Sequence, residues 1–281
     1  MGSLEQEGTM KDKVLLINDL AGYGKVALAA MMPVLSHMGF DLHTLPTALV
    51  SNTLDYGKFE ILETTDYMKH TLEVWEQLGF SFDAVCTGFI VSQEQMKLVA
   101  DFCKMSREKG ARIFADPIMG DDGKLYNGVT EETVGYMREL TAVSDVVMPN
   151  FTEASFIAGM FLDREEITGP EGKMLLKQLK KLGAKSIVIT SACVDGVMSV
   201  LGYDAQSGSD FLLPFEYIPV RFPGTGDIFS AVLAGSLLSG MALEDSTKKA
   251  MDVVKNLILL NRDNGDRFKG IPVEQYLDVL D

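Results

Sequence analysis

The chain has 281 residues, 47% of them hydrophobic and 23% charged, and its formal net charge is −15. This composition is typical of a globular protein with a sizeable core, and the acidic balance argues against nucleic acid or an anionic membrane as a partner. The three cysteines are widely spaced and form no CxxC pattern, which argues against a zinc site or disulfide framework and favours a cytoplasmic location. Residues 1–10 resemble a disordered leader, so we expect one domain over residues 11–281.

Strand and helix patterns alternate from residue 13 to about residue 190. The predicted strands cover residues 14–17, 41–50, 84–87, 112–115, 146–148 and 186–189. The predicted helices between them cover residues 26–38, 66–78, 93–109, 130–140 and 169–182. Two antiparallel edge strands, 197–201 and 211–218, and closing helices at 244–260 and 273–280 complete the chain. The alternation predicts an α/β fold with a mostly parallel sheet and helices on both faces.

A glycine-containing turn follows the first predicted strand and has to be tested against two phosphate-binding motifs. A P-loop ending at Gly24-Lys25 would need Gly at position 19 and Ser or Thr at position 26, but the chain has Asp19 and Val26. The dinucleotide fingerprint fits only loosely, as Gly22-x-Gly24-x-x-Ala27. A nicotinamide-dependent oxidoreductase therefore stays open as an alternative.

The stretch Gly224-Thr225-Gly226-Asp227 precedes an uncharged run over residues 228–243 that is typical of a buried helix. A helix N-terminus presents unpaired N–H groups and a partial positive charge, so it can bind an anion. Asp227 would lie beside such an anion. Gly, Thr and Asp are also common at ordinary helix caps, and these residues alone do not decide between the two interpretations.

Polar residues recur where the predicted parallel strands end, and ligands of such sheets bind at that edge. These residues are Asn18, Asp19, Gly88, Asp116, Asn150, Glu153 and Thr190. Asp116, Asp121 and Glu153, with Asn150, offer the oxygen ligands that Mg²⁺ prefers when it bridges protein to phosphates. The alternative is structural, because Asn150 three residues before Glu153 also matches a helix N-cap and its box partner.

Several of these motifs resemble the signatures of the ribokinase-like kinases, and most closely the vitamin B6 (pyridoxal/pyridoxamine kinase) branch. The segments that carry the resemblance lie between about residues 13 and 262. They are Gly224-Thr225-Gly226-Asp227, Asp116-Pro117-Ile118-Met119-Gly120, Pro149-Asn150-Phe151-Thr152-Glu153, Val50-Ser51-Asn52 with Tyr56-Gly57, and Thr87-Gly88-Phe89. The resemblance implies a three-layer α/β/α sandwich and ATP-dependent phosphorylation of a ring-borne hydroxymethyl group, usually by a homodimer.

The same resemblance implies roles for individual residues. Asp227 would be the general base, and the amides of Gly224, Thr225 and Gly226 would form the anion hole. Asp116, Asn150 and Glu153 would hold Mg²⁺, directly or through water, and a monovalent cation such as K⁺ is a further candidate cofactor. Nucleotide contacts would come from Asp116, Asp121, Asn150, Glu153, Thr190 and Ser191. Substrate contacts would come from Asn18, Asp19, Ser51, Asn52, Phe89, Tyr126 and Asp227.

The chain departs from the B6 branch on the substrate side, at Asn18-Asp19, Thr53-Leu54 and Phe89. The predicted activity is phosphorylation of pyridoxal, pyridoxamine or pyridoxine to the 5′-phosphate. A hydroxymethylpyrimidine kinase is the main alternative, since the Asp- and Gly-containing first turn also resembles that related group. A sugar kinase and a catalytically inactive B6-binding protein are further alternatives.

Overall fold

A computed structural model describes residues 12–126 and 129–281 of the chain. The leader predicted over residues 1–10 lies outside these ranges. Within them, the strands are β1 (Lys13–Tyr23), β2 (Asp41–Asn52), β3 (Ile61–Glu63), β4 (Ala84–Thr87), β5 (Arg112–Ala115), β6 (Gly120–Asp121), β7 (Lys124–Leu125), β8 (Val146–Val147), β9 (Glu166–Ile167), β10 (Ser186–Val194), β11 (Val197–Asp204) and β12 (Ser209–Pro214). The α-helices are α1 (Leu28–His37), α2 (Thr65–Gln77), α3 (Gln93–Glu108), α4 (Glu131–Val143), α5 (Phe151–Ala158), α6 (Gly169–Lys181), α7 (Thr225–Leu238) and α8 (Leu243–Asn261).

One large sheet forms the centre of the molecule, with strand order β12-β11-β10-β8-β5-β4-β1-β2-β3 and β9 paired to β10. The strands from β10 to β2 run parallel. Antiparallel strands close both edges, β11 and β12 at one end and β3 at the other. The mostly parallel sheet and the antiparallel edge after β10 confirm the prediction made from the alternating pattern.

Alternate side chains of β1 pack into two separate hydrophobic cores, one on each face of the sheet, which gives the three-layer arrangement. Leu15 and Ile17 are fully buried among residues of α2 to α6. Val14 and Leu16 are equally buried against α1, α7 and α8 on the opposite face. Successive side chains of a strand point to opposite faces, so a continuous apolar run marks a strand covered by helices on both sides. The predicted α/β/α sandwich is confirmed.

The end of β1 differs from the prediction and bears on the oxidoreductase alternative. The strand continues to Tyr23 instead of turning at Asn18, with a register shift against β2 between Asn18 and Leu20. Gly22 therefore pairs within the sheet rather than in a strand-to-helix turn, and the dinucleotide fingerprint does not form. The extension forms because β2 is also long and provides a partner as far as Asn52.

The prediction of a helix over residues 273–280 is wrong. Two short 3₁₀ turns, Val273–Gln275 and Leu277–Leu280, pack against α1 in its place. Neither turn has a side-chain cap, and burial of Val273 and Leu280 in the core anchors the segment without a regular helix.

The β6–β7 hairpin, which carries Asp121, was not predicted from the sequence. No helix in the described ranges is long and apolar enough to cross a membrane.

Candidate active site

The site is built around the N-terminus of α7, which begins at Thr225 as the sequence predicts. Gly224 has φ 85°, and a Cβ there would lie 2.3 Å from the carbonyl oxygen of Lys25. Only glycine fits this close approach in a left-handed conformation. The N–H of Ile228 donates to the carbonyl of Gly224 at 3.0 Å, so the N–H groups of residues 225–227 precede the helical ladder. They are available to an anion, with the positive end of the helix dipole behind them.

Asp227 follows this turn and is held at both carboxylate oxygens. Its Oδ1 accepts from the side-chain amide of Asn18 at 3.2 Å, and its Oδ2 accepts from the N–H of Ala27 at 2.8 Å. Burial raises the pKa of Asp227, and the hydrogen bonds from Ala27 and Asn18 act in the opposite direction. The carboxylate is thus fixed in place beside the N-terminal amides of α7.

Asp227 lies between two other acids. Burial, and next the negative charge of Asp227, raise the pKa of Asp19 to about 7. The same two causes raise the pKa of Asp116 to about 7, against a hydrogen bond of 2.9 Å from Ser230 Oγ. Buried carboxylates that repel one another favour a proton or a cation in their midst. This group of acids joins the register shift within β1 and the end of β5 to α7.

Asn150 and Glu153 form the capping box of α5 that was the structural alternative. Asn150 Oδ1 accepts from the N–H of Glu153 at 2.9 Å, and Glu153 Oε2 accepts from the N–H of Asn150 at 2.8 Å. Glu153 Oε1 accepts from the N–H of Met119 at 3.0 Å, and Asn150 Nδ2 donates to the carbonyl of Gly120 at 2.8 Å. Glu153 is 3% exposed. Burial and the charge of Asp116 raise its pKa.

The remaining predicted nucleotide residues lie around this capping box. Thr190 pairs with Asn150 in an isolated bridge, and its N–H donates to the carbonyl of Pro149 at 3.0 Å. Ser191 follows in a left-handed conformation, with φ 57°, where the register of β10 shifts. Asp121 lies in the β6–β7 hairpin and its pKa is raised, mainly by burial. These residues share the carboxyl edge of the sheet with Asp116.

The predicted substrate residues divide into two groups. Asn18 and Asp19 lie at the register shift within β1, close to Phe89 after β4, and the N–H of Phe89 donates to Asn18 Oδ1 at 2.8 Å. Tyr126 is close enough to the acids for its pKa to rise, through burial and then through Asp121 and Glu153. Ser51 and Asn52 are engaged elsewhere.

Ser51 and Asn52 hold their own turn closed. Ser51 Oγ donates to Asn52 Oδ1 at 2.7 Å and accepts from the N–H of Glu60 at 2.8 Å. Asn52 Nδ2 donates to the carbonyl of Lys58 at 2.8 Å and to that of Thr53 at 3.0 Å. In this conformation every donor hydrogen of the two side chains is used within the loop after β2, so donation to a substrate would require them to exchange partners.

Sequence reasoning missed three residues of the site. Ala27 contributes only a backbone N–H, which no side-chain pattern reveals. Ser230 is one turn after the predicted motif and appears in the sequence as one more small residue of an uncharged helix. Arg221 lies near enough to Asp121 and Tyr126 for its positive charge to oppose the rise in the pKa of both. The one available signal in the sequence was the position of Arg221, a positively charged residue three positions before Gly224.

Two features define the class of this protein: a carboxylate at a glycine-flanked helix N-terminus, and acids at the carboxyl edge of a three-layer sandwich. They are those of a ribokinase-like small-molecule kinase. The chain belongs to the phosphomethylpyrimidine kinase family, whose model matches residues 31–270. The predicted resemblance to the pyridoxal kinase branch, and the prediction of an ATP-dependent kinase, are confirmed by the relatives that follow.

Three similar proteins illustrate the relationship. A Bacteroides thetaiotaomicron protein, described as a phosphomethylpyrimidine kinase and crystallised with pyridoxal, is 35% identical with a TM-score of 0.90, over 97% of this chain and 96% of its own. The pyridoxal kinase of Leishmania donovani in complex with ADP and pyridoxamine is 26% identical with a TM-score of 0.83, over 95% of both chains. The pyridoxal kinase of Arabidopsis thaliana is 28% identical over 79% of this chain and 73% of its own length.

Proposed function

We propose that this protein transfers the γ-phosphoryl group of ATP to the hydroxymethyl group of a vitamin B6 vitamer, giving the 5′-phosphate. The observation that carries the proposal is the similarity, over almost the whole chain, to a protein crystallised with pyridoxal. Pyridoxal kinases bound to ADP with pyridoxamine or pyridoxine have the same fold. These ligands favour a B6 vitamer over hydroxymethylpyrimidine as the substrate.

Asp227 is the proposed general base. Each of its oxygens accepts one hydrogen bond from the protein, and an ionised carboxyl has about four lone-pair sites in all, so capacity remains to accept the proton of a substrate hydroxyl. Asp227 also lies in the first turn of α7, whose N-terminal amides are available to an anion. The deprotonated alcohol and the transferring phosphoryl group would therefore meet at one place, which is the main requirement of phosphoryl transfer.

The anion hole is proposed from the amides of Gly224, Thr225 and Gly226. Preorganised N–H donors stabilise charge that develops during transfer without having to reorient. The positive φ of Gly224 and its close approach to Lys25 fix the entry of the chain into α7. Gly226 lies open, with no atom within 4 Å of a hypothetical Cβ beyond its own neighbourhood, so phosphate oxygens could reach the backbone there.

Magnesium is proposed beside Asp116 and Glu153, with Asn150 near. The donor set fits, because it consists of oxygens whose mutual repulsion a divalent cation would relieve. No group of three or more His, Cys, Asp and Glu side chains in the described part of the chain is arranged to hold a metal by itself. Both oxygens of Glu153 already accept backbone N–H groups. The ion would therefore be held mostly through water and phosphate, and its charge would offset that of the phosphates.

The remaining predictions from the sequence belong to the same proposed function. Asp121, Thr190 and Ser191 would contact the nucleotide. Asp19, Phe89 and Tyr126 would contact the vitamer, and Ser51 and Asn52 would do so after rearrangement. A monovalent cation, a homodimer, a single domain over residues 11–281 and a cytoplasmic location belong to the proposal as well.

The deciding experiment is a panel assay of ADP release. Purified protein receives ATP and MgCl₂ with pyridoxal, pyridoxamine, pyridoxine, hydroxymethylpyrimidine or ribose, and mass spectrometry identifies the product. We expect a 5′-phosphate from at least one vitamer at a kcat/KM well above that for hydroxymethylpyrimidine. Phosphorylation of hydroxymethylpyrimidine alone would overturn the vitamer assignment, and no phosphorylation of any acceptor would overturn the kinase proposal.

A further inference from the structure

Asn18 is 1% exposed and lies where the register of β1 against β2 shifts. Its Oδ1 accepts from two backbone donors, the N–H of Asp19 at 3.0 Å and the N–H of Phe89 at 2.8 Å. A backbone N–H can only donate, so the oxygen of the amide must face these two groups. The NH₂ group must then face the carboxylate of Asp227, 3.2 Å away.

The surroundings leave the amide of Asn18 little freedom to turn. A Cβ on Gly88 would lie 2.3 Å from Nδ2 and 2.7 Å from Oδ1, so the amide packs directly on the Gly88 backbone. The sulfur of Met31 lies 3.6 Å from Nδ2 on another side. Every polar atom of Asn18 therefore has a protein partner, and none is left to bind a substrate.

From these contacts we propose that Asn18 is the positioning residue of the base: it orients the carboxylate of Asp227 and ties it to the backbone at Phe89. The proposal rests on the function proposed above and replaces the expected role of Asn18 as a substrate ligand. Because Phe89 is one of the proposed substrate contacts, the side chain of Asn18 would set the distance between that contact and the base.

The electrostatic setting explains why a neutral donor is suited to this position. Asp19 on β1 and Asp116 at the end of β5 lie near enough to Asp227 for its negative charge to raise the pKa of both, and the N-terminus of α7 faces it with partial positive charge. In the described part of the chain, the hydrogen-bond donors to Asp227 are Asn18 and Ala27. The NH₂ group of Asn18 is the side-chain donor that holds one oxygen while the other is held by backbone.

Asn18→Asp tests the proposal with the smallest change of shape. The new carboxyl group can still accept from Asp19 and Phe89, but once ionised it presents an oxygen to Asp227 where the donor was. The kinetics are therefore followed as the pH is raised, so that this group is ionised. Because a hydrogen bond to a charged group is lost, we expect kcat for the vitamer to fall about 10- to 100-fold, with KM within about threefold of wild type. A raised KM with unchanged kcat would show a substrate ligand and overturn the proposal, as would unchanged kinetics.

Gln95→Glu is the matched control. Gln95 is a fully buried amide whose Oε1 accepts from the N–H of Val91 at 3.2 Å and whose Nε2 donates to the carbonyl of Thr47 at 2.7 Å. The substitution makes the same exchange of amide for acid near the same loop, without contact to Asp227. We expect Tm to fall in both variants but kcat to fall only in Asn18→Asp. Equal losses of kcat would assign Asn18 a purely structural role.

The exchanged pair Asn18→Asp/Asp227→Asn separates folding from catalysis. With the amide and carboxylate exchanged, the hydrogen bonds from Asp19, Phe89 and Ala27 and the bond between positions 18 and 227 can all form, and only the weak donation to the sulfur of Met31 is lost. We therefore expect Tm to recover towards that of wild type. We expect kcat to equal that of Asp227→Asn alone within about threefold, because a positioning residue has no effect once its base is gone. A further fall in kcat beyond that of Asp227→Asn would overturn the proposal. A wild-type protein that phosphorylates no vitamer would instead overturn the proposed function.

Discussion

The backbone N–H of Ala27 donates to Oδ2 of Asp227 at 2.8 Å, joining residues 200 positions apart in the chain. To make this bond, Ala27 adopts φ 49° and ψ −129° immediately before α1. That conformation is strained for a residue with a Cβ and is accessible to glycine. Strain of this kind persists where the surrounding structure over-determines it, and here it aims an N–H at the proposed base.

Ala27→Gly is therefore expected to retain activity and to keep or raise stability. The N–H to Asp227 remains, and relief of about 1–3 kcal/mol of backbone strain exceeds the roughly 0.4–1 kcal/mol that the more flexible unfolded chain costs. Urea unfolding measures the free energy, with Ala30→Gly as the control. Ala30 lies within α1, where glycine costs about 1 kcal/mol. A loss at Ala27 as large as that at Ala30 would contradict the strain argument.

Asp227→Asn is expected to lower kcat about 10²- to 10⁴-fold, the usual loss when a general base is removed. The amide has nearly the same shape, so the fold and the KM for ATP should be kept. Its NH₂ group faces one of the two donors that Asp227 accepts from, so Tm should fall. Circular dichroism and ADP-release kinetics check the two halves of this expectation. Asp252→Asn, an exposed acid on α8, is the control and should be indistinguishable from wild type. If Asp227→Asn keeps a tenth or more of the wild-type kcat, Asp227 is not the base.

Gly224→Ala should destabilise the protein far more than Gly226→Ala. A Cβ at Gly224 would meet the Lys25 carbonyl at 2.3 Å in a backbone conformation with φ 85°, and strain of this kind costs about 1–3 kcal/mol before the overlap is counted. A Cβ at Gly226 meets no neighbouring atom within 4 Å. Thermal unfolding of the two variants is the measurement. Equal Tm values would show that the turn before α7 relaxes freely.

Much of the fold could be predicted because its central strands are short, apolar and covered on both faces. Ala84–Thr87 and Arg112–Ala115 have the predicted bounds, and α7 begins at the predicted turn. The extension of β1 to Tyr23 could not be predicted, because it depends on pairing with β2 rather than on local pattern. The short final turns are likewise held by tertiary burial, which overrides the helical periodicity of residues 273–280.

The candidate site could be predicted only as a set of side chains at strand ends. The sequence predicts Asp227 and Asp116, which the structure brings close together, and it predicts Asn18 as a substrate contact, since nothing local shows that Phe89 and Asp19 donate to its oxygen. The contribution of Ala27 is a backbone conformation, and that of Ser230 is a hydrogen bond to a residue 114 positions away. Such long-range contacts arise from the packing of α7 on the sheet, which no local pattern encodes.

The raised pKa of Asp19 makes stability depend on pH in a predictable direction. The folded value is about 7, against about 3.9 for an unperturbed aspartate, so the folded state holds the proton more tightly than the unfolded state. This contribution is fully present below the unfolded value and is lost as pH rises towards the folded value. The contribution of Asp19 to the free energy of unfolding should therefore decline between about pH 4 and pH 7.

Asp19→Asn removes this dependence, because the amide stays neutral at every pH. We expect its Tm to exceed that of wild type by about 2–6 °C at pH 8, as a gain of 1–2 kcal/mol gives in a domain of this size, and to match wild type at pH 4. Differential scanning calorimetry across this range makes the comparison, with exposed Asp252→Asn as the control for lost surface charge. A Tm difference of the same size at both pH values would mean that Asp19 does not titrate in this window.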